Sequence, residues 1–283
     1  MLSFEVIFLF VLGLVWILFA VFEDLKTREI ANWLNFSLII FALGFRFFFS
    51  LFEGGDFQFF YQGIIGFGIF FVLSNLFYYG KMFAGGDSKL MMALGAILPF
   101  STSFLFNMKI FLLFLFLFLI VGAIYGILIS FSLGIIHFSN LKREFKIQLK
   151  KNKNILYFLL SLAIIFLIIG FFTKISFYFG LILFFIAYYY IYVKSIDESC
   201  MVRKVKSSKL TLGDWLYKDE RVGKKIVKAT WDGLGEKEIK LLQNKKFVML
   251  KFGIQFAPVF LISFILLWLI LEFNWFGFLI GLF

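Results

Sequence analysis

Eight long runs of apolar residues dominate the sequence and decide what kind of fold it can adopt. A helix needs about 20 residues to cross about 30 Å of hydrocarbon, and most of these runs approach or exceed that length. The runs cover residues 2–22, 33–52, 59–79, 90–106, 110–136, 155–172, 177–193 and 248–271. They predict an all-α polytopic membrane protein with about eight transmembrane helices.

Three of the runs are the weakest of the set. Pro99 interrupts the fourth run, and residues 173–176 separate the sixth from the seventh, which could instead form one broken element. The overall prediction does not depend on them, because 62% of the chain is hydrophobic and only 16% is charged. No soluble domain can hide so much apolar surface.

The basic residues indicate an orientation rather than a nucleic-acid partner. The net charge is +11, but the lysines and arginines lie between the apolar runs, as in cytoplasmic loops under the positive-inside rule. Residues 140–154 are rich in lysine, whereas residues 52–58 contain two acids and no base. We expect a multi-pass protein of the cytoplasmic membrane with its N-terminus outside and no nucleic-acid partner.

The chain divides into four predicted regions. Residues 1–136 form a membrane core, and residues 137–193 form a basic loop with two further transmembrane helices. Residues 194–247 form a small mixed α+β cytoplasmic insert before the last helix, too short to bury much core of its own. Residues 248–283 form the final transmembrane helix and an interfacial tail anchored by Trp275.

Asp87 is the most informative single residue. It follows two glycines in residues 83–89, FAGGDSK, and it opens the fourth apolar run. An ionisable group at the margin of hydrocarbon is costly and is rare without a site or a partner. With eight spans, Asp24 after the first run faces the same cytoplasmic side as Asp87. We therefore expect these two carboxylates to form a pair.

Two adjacent carboxyl groups can perform acid-base chemistry. They cannot both ionise cheaply, so sharing one proton separates their apparent pKa values and leaves an acid and a base at one pH. Such a pair can activate water for attack on a peptide carbonyl. Gly85 and Gly86 would allow close backbone approach beside the acid. Glu23 and Lys89 are possible modulators.

The helix dipole suggests which carboxyl group is the base and which is the acid. Asp24 is predicted to follow the C-terminal end of its helix, where an anion is disfavoured, and Asp87 to begin a helix, where an anion is favoured. This makes Asp87 the resting base and Asp24 the resting acid. The hypothesis requires that Asp24 lies outside a helix and Asp87 at a helix start.

These residues resemble a known family. Ala84 to Asp87 is similar to the Gly-x-Gly-Asp signature of type IV prepilin peptidases. Residues 24–32, DLKTREIAN, resemble the loop around that family's first aspartate, and residues 89–95 resemble its lysine and small-residue continuation. The resemblance covers about the first hundred residues. Ala84 replaces a glycine and Ala31 replaces the usual proline of the family, and neither change touches an acid.

The resemblance implies a substrate and a branch. The family cleaves precursors with a short basic leader and a hydrophobic helix, of the pilin or flagellin type, at the cytoplasmic membrane face. Members that also methylate the new N-terminus carry paired Cys-x-x-Cys motifs, which this chain lacks. A polar insert between late helices is similar to the archaeal preflagellin peptidases, so a peptidase of that branch without methyltransferase activity is expected.

Other interpretations remain open. A presenilin-like intramembrane protease also pairs an Asp with Gly-x-Gly-Asp, and a transporter could use two Asp residues to bind an ion or proton. An inactive relative that only binds pilin-like segments is a third. The single histidine, His137, and the single cysteine, Cys200, are predicted to have no catalytic role, and Arg46 to be interfacial. No metal or cofactor is expected.

Overall fold

The computed structural model describes residues 3–223 and 225–273. Within these ranges the chain forms ten α-helices, five short β-strands and one 3-10 turn. The helices are α1 (Phe4–Thr27), α2 (Asn32–Phe52), α3 (Gln58–Tyr79), α4 (Gly85–Ile97), α5 (Phe104–Ile136), α6 (Phe138–Lys151), α7 (Lys153–Ile169), α8 (Lys174–Ser199), α9 (Glu236–Leu242) and α10 (Ala257–Glu272). The strands are β1 (Val202–Lys206), β2 (Trp215–Leu216), β3 (Glu220–Val222), β4 (Lys225–Val227) and β5 (Phe247–Lys251).

The prediction of a polytopic, mainly helical membrane protein is confirmed, but the number of eight spans is not. Among the described residues, α1, α2, α3, α5 and α8 are long and apolar enough to cross a membrane. A sixth span results if α6 and α7, which are bent by 78°, count as one. Helix α10 is apolar but shorter.

Two predicted spans differ for identifiable reasons. The fourth run is divided because α4 ends at Ile97 and α5 begins at Phe104, on either side of Pro99, which has no backbone N–H to donate. The last run is shortened because its first residues form β5, whose Val248 and Leu250 are buried in a small subdomain. The predicted interfacial tail with Trp275 lies outside the described residues, since the description ends at residue 273.

The chain separates into two compact units, and the first contains residues 1–126 and 255–283. In its described part, α4 packs against α1, α2 and α3, and α1 packs against α10. A Cβ atom at Gly66 would lie 2.3 Å from the carbonyl oxygen of Gly95. This glycine pair lets α3 and α4 approach with their backbones in contact, as small residues do between membrane helices.

Arg46 is a core residue and not the interfacial cation that the sequence suggests. Its side chain is 0% exposed. The guanidinium donates to the carbonyl oxygens of Ala96 at 3.0 Å, Phe59 at 3.1 Å and Ile97 at 3.1 Å, and also to that of Pro99. The last carbonyls of α4 have no helical partners, so Arg46 satisfies the C-terminal end of this short helix.

The second unit contains residues 127–254. Helices α7 and α8 pack along each other, with a Cβ at Gly180 only 2.7 Å from Leu167 Cγ. The insert forms an antiparallel sheet in the order β1-β5-β2, a β3-β4 pair and α9. Its core contains Leu216, Val227, Leu234, Leu242, Val248 and Leu250. The mixed α+β character of the insert, and a helix beginning after Gly235, agree with the sequence.

Replacing Arg46 should destabilise the first unit. Arg46→Met leaves four buried carbonyl groups without their charged donor, and each such hydrogen bond contributes about 1.5–3 kcal/mol. We expect the free energy of unfolding in detergent to fall by at least about 3 kcal/mol. Lys174→Met, at an exposed position, is the control and should change it little. Equal stability of the two variants would contradict this account of Arg46.

Candidate active site

Asp24 lies inside α1, in its last turn, and is only 6% exposed. The sequence places this residue beyond a helix ending near Phe22, and that prediction is wrong. The helix continues to Thr27 and stops where Arg28 adopts a left-handed conformation, with φ of 62°, and donates its N–H to the Asp24 carbonyl oxygen. The dipole hypothesis for the roles of the two acids therefore loses its premise.

The connection between α1 and α2 is held by Glu23. Its Oε2 accepts the backbone N–H of Ala31 at 2.9 Å. The Thr27 hydroxyl donates to the carbonyl oxygen of Glu23 at 2.8 Å and contacts that of Glu29 at 3.1 Å. In this arrangement Glu23 shapes the loop that follows Asp24.

Asp87 occupies the first turn of α4, as the sequence predicts. Ala84 is the N-cap residue with extended backbone, and Gly85 is the first helical residue. A carboxylate in the first turn of a helix is stabilised by the free amides and by the dipole. The backbone of Ala84 also hydrogen-bonds the Asp87 carboxylate.

Gly86 and Lys89 fix the start of α4 against the α1–α2 connection. A Cβ at Gly86 would lie 3.2 Å from Ile30 Cβ and 3.3 Å from the Ile30 nitrogen, whereas one at Gly85 would meet only Tyr78 at 4.0 Å. The Lys89 ammonium donates to the side-chain oxygen of Asn32. Of the two glycines, Gly86 is thus the one required for close approach.

The start of α10 contacts Asp24 from the other side, and no sequence pattern predicts this contact. The Ala257 N–H donates to Asp24 Oδ2 at 3.0 Å, so the carboxylate sits at the N-terminus of α10. The Gln255 amide donates to the carbonyl oxygens of Asp24 at 2.8 Å and Leu25 at 3.0 Å. The Tyr125 hydroxyl donates to the Gln255 carbonyl oxygen at 3.0 Å.

The two carboxyl groups are close enough to interact. Asp87 lies outside the candidate membrane spans, because its helix α4 has 13 residues and is not among the helices that can span the membrane. Burial and, second to it, the charge of Asp24 together raise the pKa of Asp87 to about 7, although the hydrogen bond from Ala84 opposes the shift. The structure therefore brings together the two acids that the sequence selected.

A metal-binding cluster is not found in the described part of the chain. Within residues 3–223 and 225–273, no three His, Cys, Asp or Glu side chains are arranged to hold a metal ion. His137 and Cys200 both lie in the second unit. The absence of a metal or cofactor stays a prediction.

Paired acids at the ends of apolar helices define a membrane protein with a candidate carboxylate dyad. Residues 11–135, which contain both aspartates, match the model of the type IV leader peptidase family. This match agrees with the resemblance of the two motifs to the same family.

A curated relative agrees with the family match. The chain is 38% identical over 90 residues to the preflagellin peptidase of Methanocaldococcus jannaschii. The similar segment covers 32% of this chain, and it spans 38% of the length of that relative. No solved structure matches the chain significantly. Gln255 and Ala257 lie outside the residues matched by the family.

The two adjacent glycines should respond differently to alanine. Both occupy the first turn of α4, and alanine is favoured over glycine in helices by up to about 1 kcal/mol. At Gly86 the new methyl group presses on Ile30, and such overpacking costs about 1–3 kcal/mol. We expect Gly86→Ala to lower the Tm in detergent and Gly85→Ala to maintain or raise it. A lower Tm for Gly85→Ala alone would contradict the contact with Ile30.

The elevated pKa of Asp87 also predicts a pH-dependent stability. Because the folded protein keeps this proton up to about pH 7 and the unfolded chain loses it near the ordinary value of 3.8, the free energy of unfolding falls as pH rises through that window. The side chain at position 87 is uncharged at all pH values in the variant Asp87→Asn. The Tm of this variant should exceed that of the wild type more at pH 8 than at pH 4.

Glu29→Gln is the matched control, since it removes an exposed carboxylate from the neighbouring loop. The difference in Tm between pH 8 and pH 4 should be the same for this variant and the wild type. If Asp87→Asn behaved like Glu29→Gln, the proton-retaining state of Asp87 would be refuted.

Proposed function

We propose that the protein is a membrane-embedded aspartic endopeptidase that removes short basic leader peptides from type IV pilin-like or archaeal flagellin precursors. The observation that carries the proposal is the juxtaposition of Asp24 and Asp87 within the residues matched by the leader peptidase family. The name of the preflagellin peptidase relative supports the same substrate class. No methyltransferase activity is expected, because the chain has a single cysteine.

The geometry supports roles opposite to those suggested by the sequence. The Asp24 carboxylate accepts the Ala257 N–H at the start of α10, where the helix dipole favours an anion. Asp87 is the group whose raised pKa lets it carry the proton near neutral pH. Asp24 is then the resting base and Asp87 the resting acid, although the pair titrates as a unit.

Hydrolysis follows from these roles. Asp24 takes a proton from water as the water oxygen attacks the peptide carbonyl carbon, and Asp87 gives its proton to the carbonyl oxygen. The resulting diol collapses as its C–N bond breaks. The leaving amine takes the proton from Asp24, and a diol hydroxyl returns one to Asp87. Both carboxyls regain their starting states.

The cytoplasmic face is the proposed side of cleavage. The orientation is an inference from the basic segments, with the N-terminus outside and the two acids facing the cytoplasm. A precursor whose hydrophobic helix enters the bilayer would present its leader at that face. The bilayer itself is the second partner of the protein.

The placement of the acids favours a leader peptidase over a transporter. Coupling-ion sites in transporters lie near the middle of the bilayer, on broken helices. Here Asp24 is in the last turn of α1 and Asp87 in the first turn of α4. A presenilin-like protease remains the other enzyme interpretation, and a processing assay distinguishes them by the position of the cut.

The proposed activity is tested by co-expressing the protein with a type IV pilin-like or flagellin precursor and following loss of the leader by mass. Asp24→Asn and Asp87→Asn should each abolish processing, because either change removes one member of the acid-base pair. The control Glu29→Gln should process normally. Undiminished cleavage by either aspartate variant would rule out the dyad, and a cut within the hydrophobic helix would favour the intramembrane protease.

A further inference from the structure

Helix α6 is a basic amphipathic helix, whereas the sequence predicts a loop in its place. Residues 140–154 are predicted to be a basic connection, but 138–151 form 14 residues of helix. The helix and the residue pair after it carry six basic side chains and one acid, Glu144. The bases are Lys142, Arg143, Lys146, Lys150, Lys151 and Lys153.

One face of α6 is already occupied. Leu141 is buried with Ile196 and Cys200 of the second unit. Phe145 and Leu149 pack on a neighbouring cluster that includes Leu156 and Ile191. These contacts attach α6 to α7 and α8, so its apolar stripe needs no further partner.

The opposite face is basic and uncovered. Arg143, Lys146 and Lys150 are exposed, and they lie one turn apart along the helix with Ile147 between them. Ile147 is 48% exposed. Among the described residues, the ion pairs are Lys245 with Glu220 and Lys251 with Asp197, and none involves these three cations.

The angle between α6 and α7 shows how this face is presented. The two helices are bent by 78° at Asn152, whose side chain donates to the carbonyl oxygen of Gln148 at 3.1 Å and to its Oε1 at 2.8 Å. Such a bend fits one broken span or a re-entrant loop, and it equally fits a span that is preceded by a surface helix. The first two arrangements would place six cations in hydrocarbon, which is too costly.

We propose that α6 lies along the membrane surface and binds anionic lipid headgroups through Arg143, Lys146 and Lys150. Helix α7 is apolar and packs along the membrane-spanning α8, so a helix at 78° to it runs close to the membrane plane. An amphipathic helix there places its cations among lipid phosphates and its exposed Ile147 at the acyl boundary. This interaction is independent of the peptidase proposal.

The depth of α6 is measured on the full chain in lipid nanodiscs. Cys200 is the only cysteine, so a nitroxide at Ile147→Cys in a Cys200→Ala background reports one position. In discs with anionic lipid, we expect the label at headgroup depth by its relative accessibility to oxygen and to a water-soluble nickel chelate. A fully aqueous label, or one deep in hydrocarbon, would overturn the proposal.

Lipid selectivity is measured by the anionic lipid that stays with the purified protein. The triple variant Arg143→Gln, Lys146→Gln and Lys150→Gln should retain at least about fivefold less than the wild type. The triple variant Lys209→Gln, Lys237→Gln and Lys240→Gln removes the same charge from exposed positions and should retain wild-type amounts.

A charge-preserving variant is the control for misfolding. Arg143→Lys, Lys146→Arg and Lys150→Arg keeps every cation and should bind lipid as the wild type does. Equal loss of anionic lipid by both glutamine variants would show that only net charge matters, and it would refute a site on α6. Wild-type retention of anionic lipid by the α6 glutamine variant would refute it as well.

Discussion

The hydrogen bond from the Ala257 N–H to the Asp24 carboxylate connects two parts of the chain separated by 233 positions. Through it, the start of α10 provides the positive end of a helix dipole to a buried acid. Gln255 reinforces the contact by donating to the last-turn carbonyls of α1. This contact stabilises the charged form of a buried acid, so the proposed chemistry depends on a helix that lies beyond the family-matched residues.

The two acids could be selected from the sequence because their local surroundings are distinctive. The glycine pair before Asp87, the boundary of an apolar run and the matched motifs all lie within short segments. The helix start at Asp87 follows from the same local information. Asp24 was placed outside its helix, because residues 23–27 are mostly polar and do not continue the apolar run before them. The end of α1 is instead set by the backbone of Arg28.

The remainder of the site depends on tertiary packing that no local pattern reveals. In the sequence, Gln255 is an ordinary polar residue before a hydrophobic helix, and only the fold places it against α1. In the sequence, Arg46 resembles an interfacial cation, and only the fold shows that α4 ends beside it. The predicted number of eight spans is not confirmed for a related reason. Val248 and Leu250 are apolar because they are buried in a small sheet, not because they face lipid.

The division of the fourth apolar run has a consequence for the integrity of the bilayer. Thirteen residues of α4 rise about 20 Å, which is less than the thickness of the hydrocarbon, so the helix that carries Asp87 at one end must terminate within the protein interior. A helix end there ordinarily attracts water to its free carbonyl groups. Arg46 satisfies those carbonyls directly. Hydration can then remain confined to the aspartate end, so the proposed proton transfers would not open a path for proton leakage across the membrane.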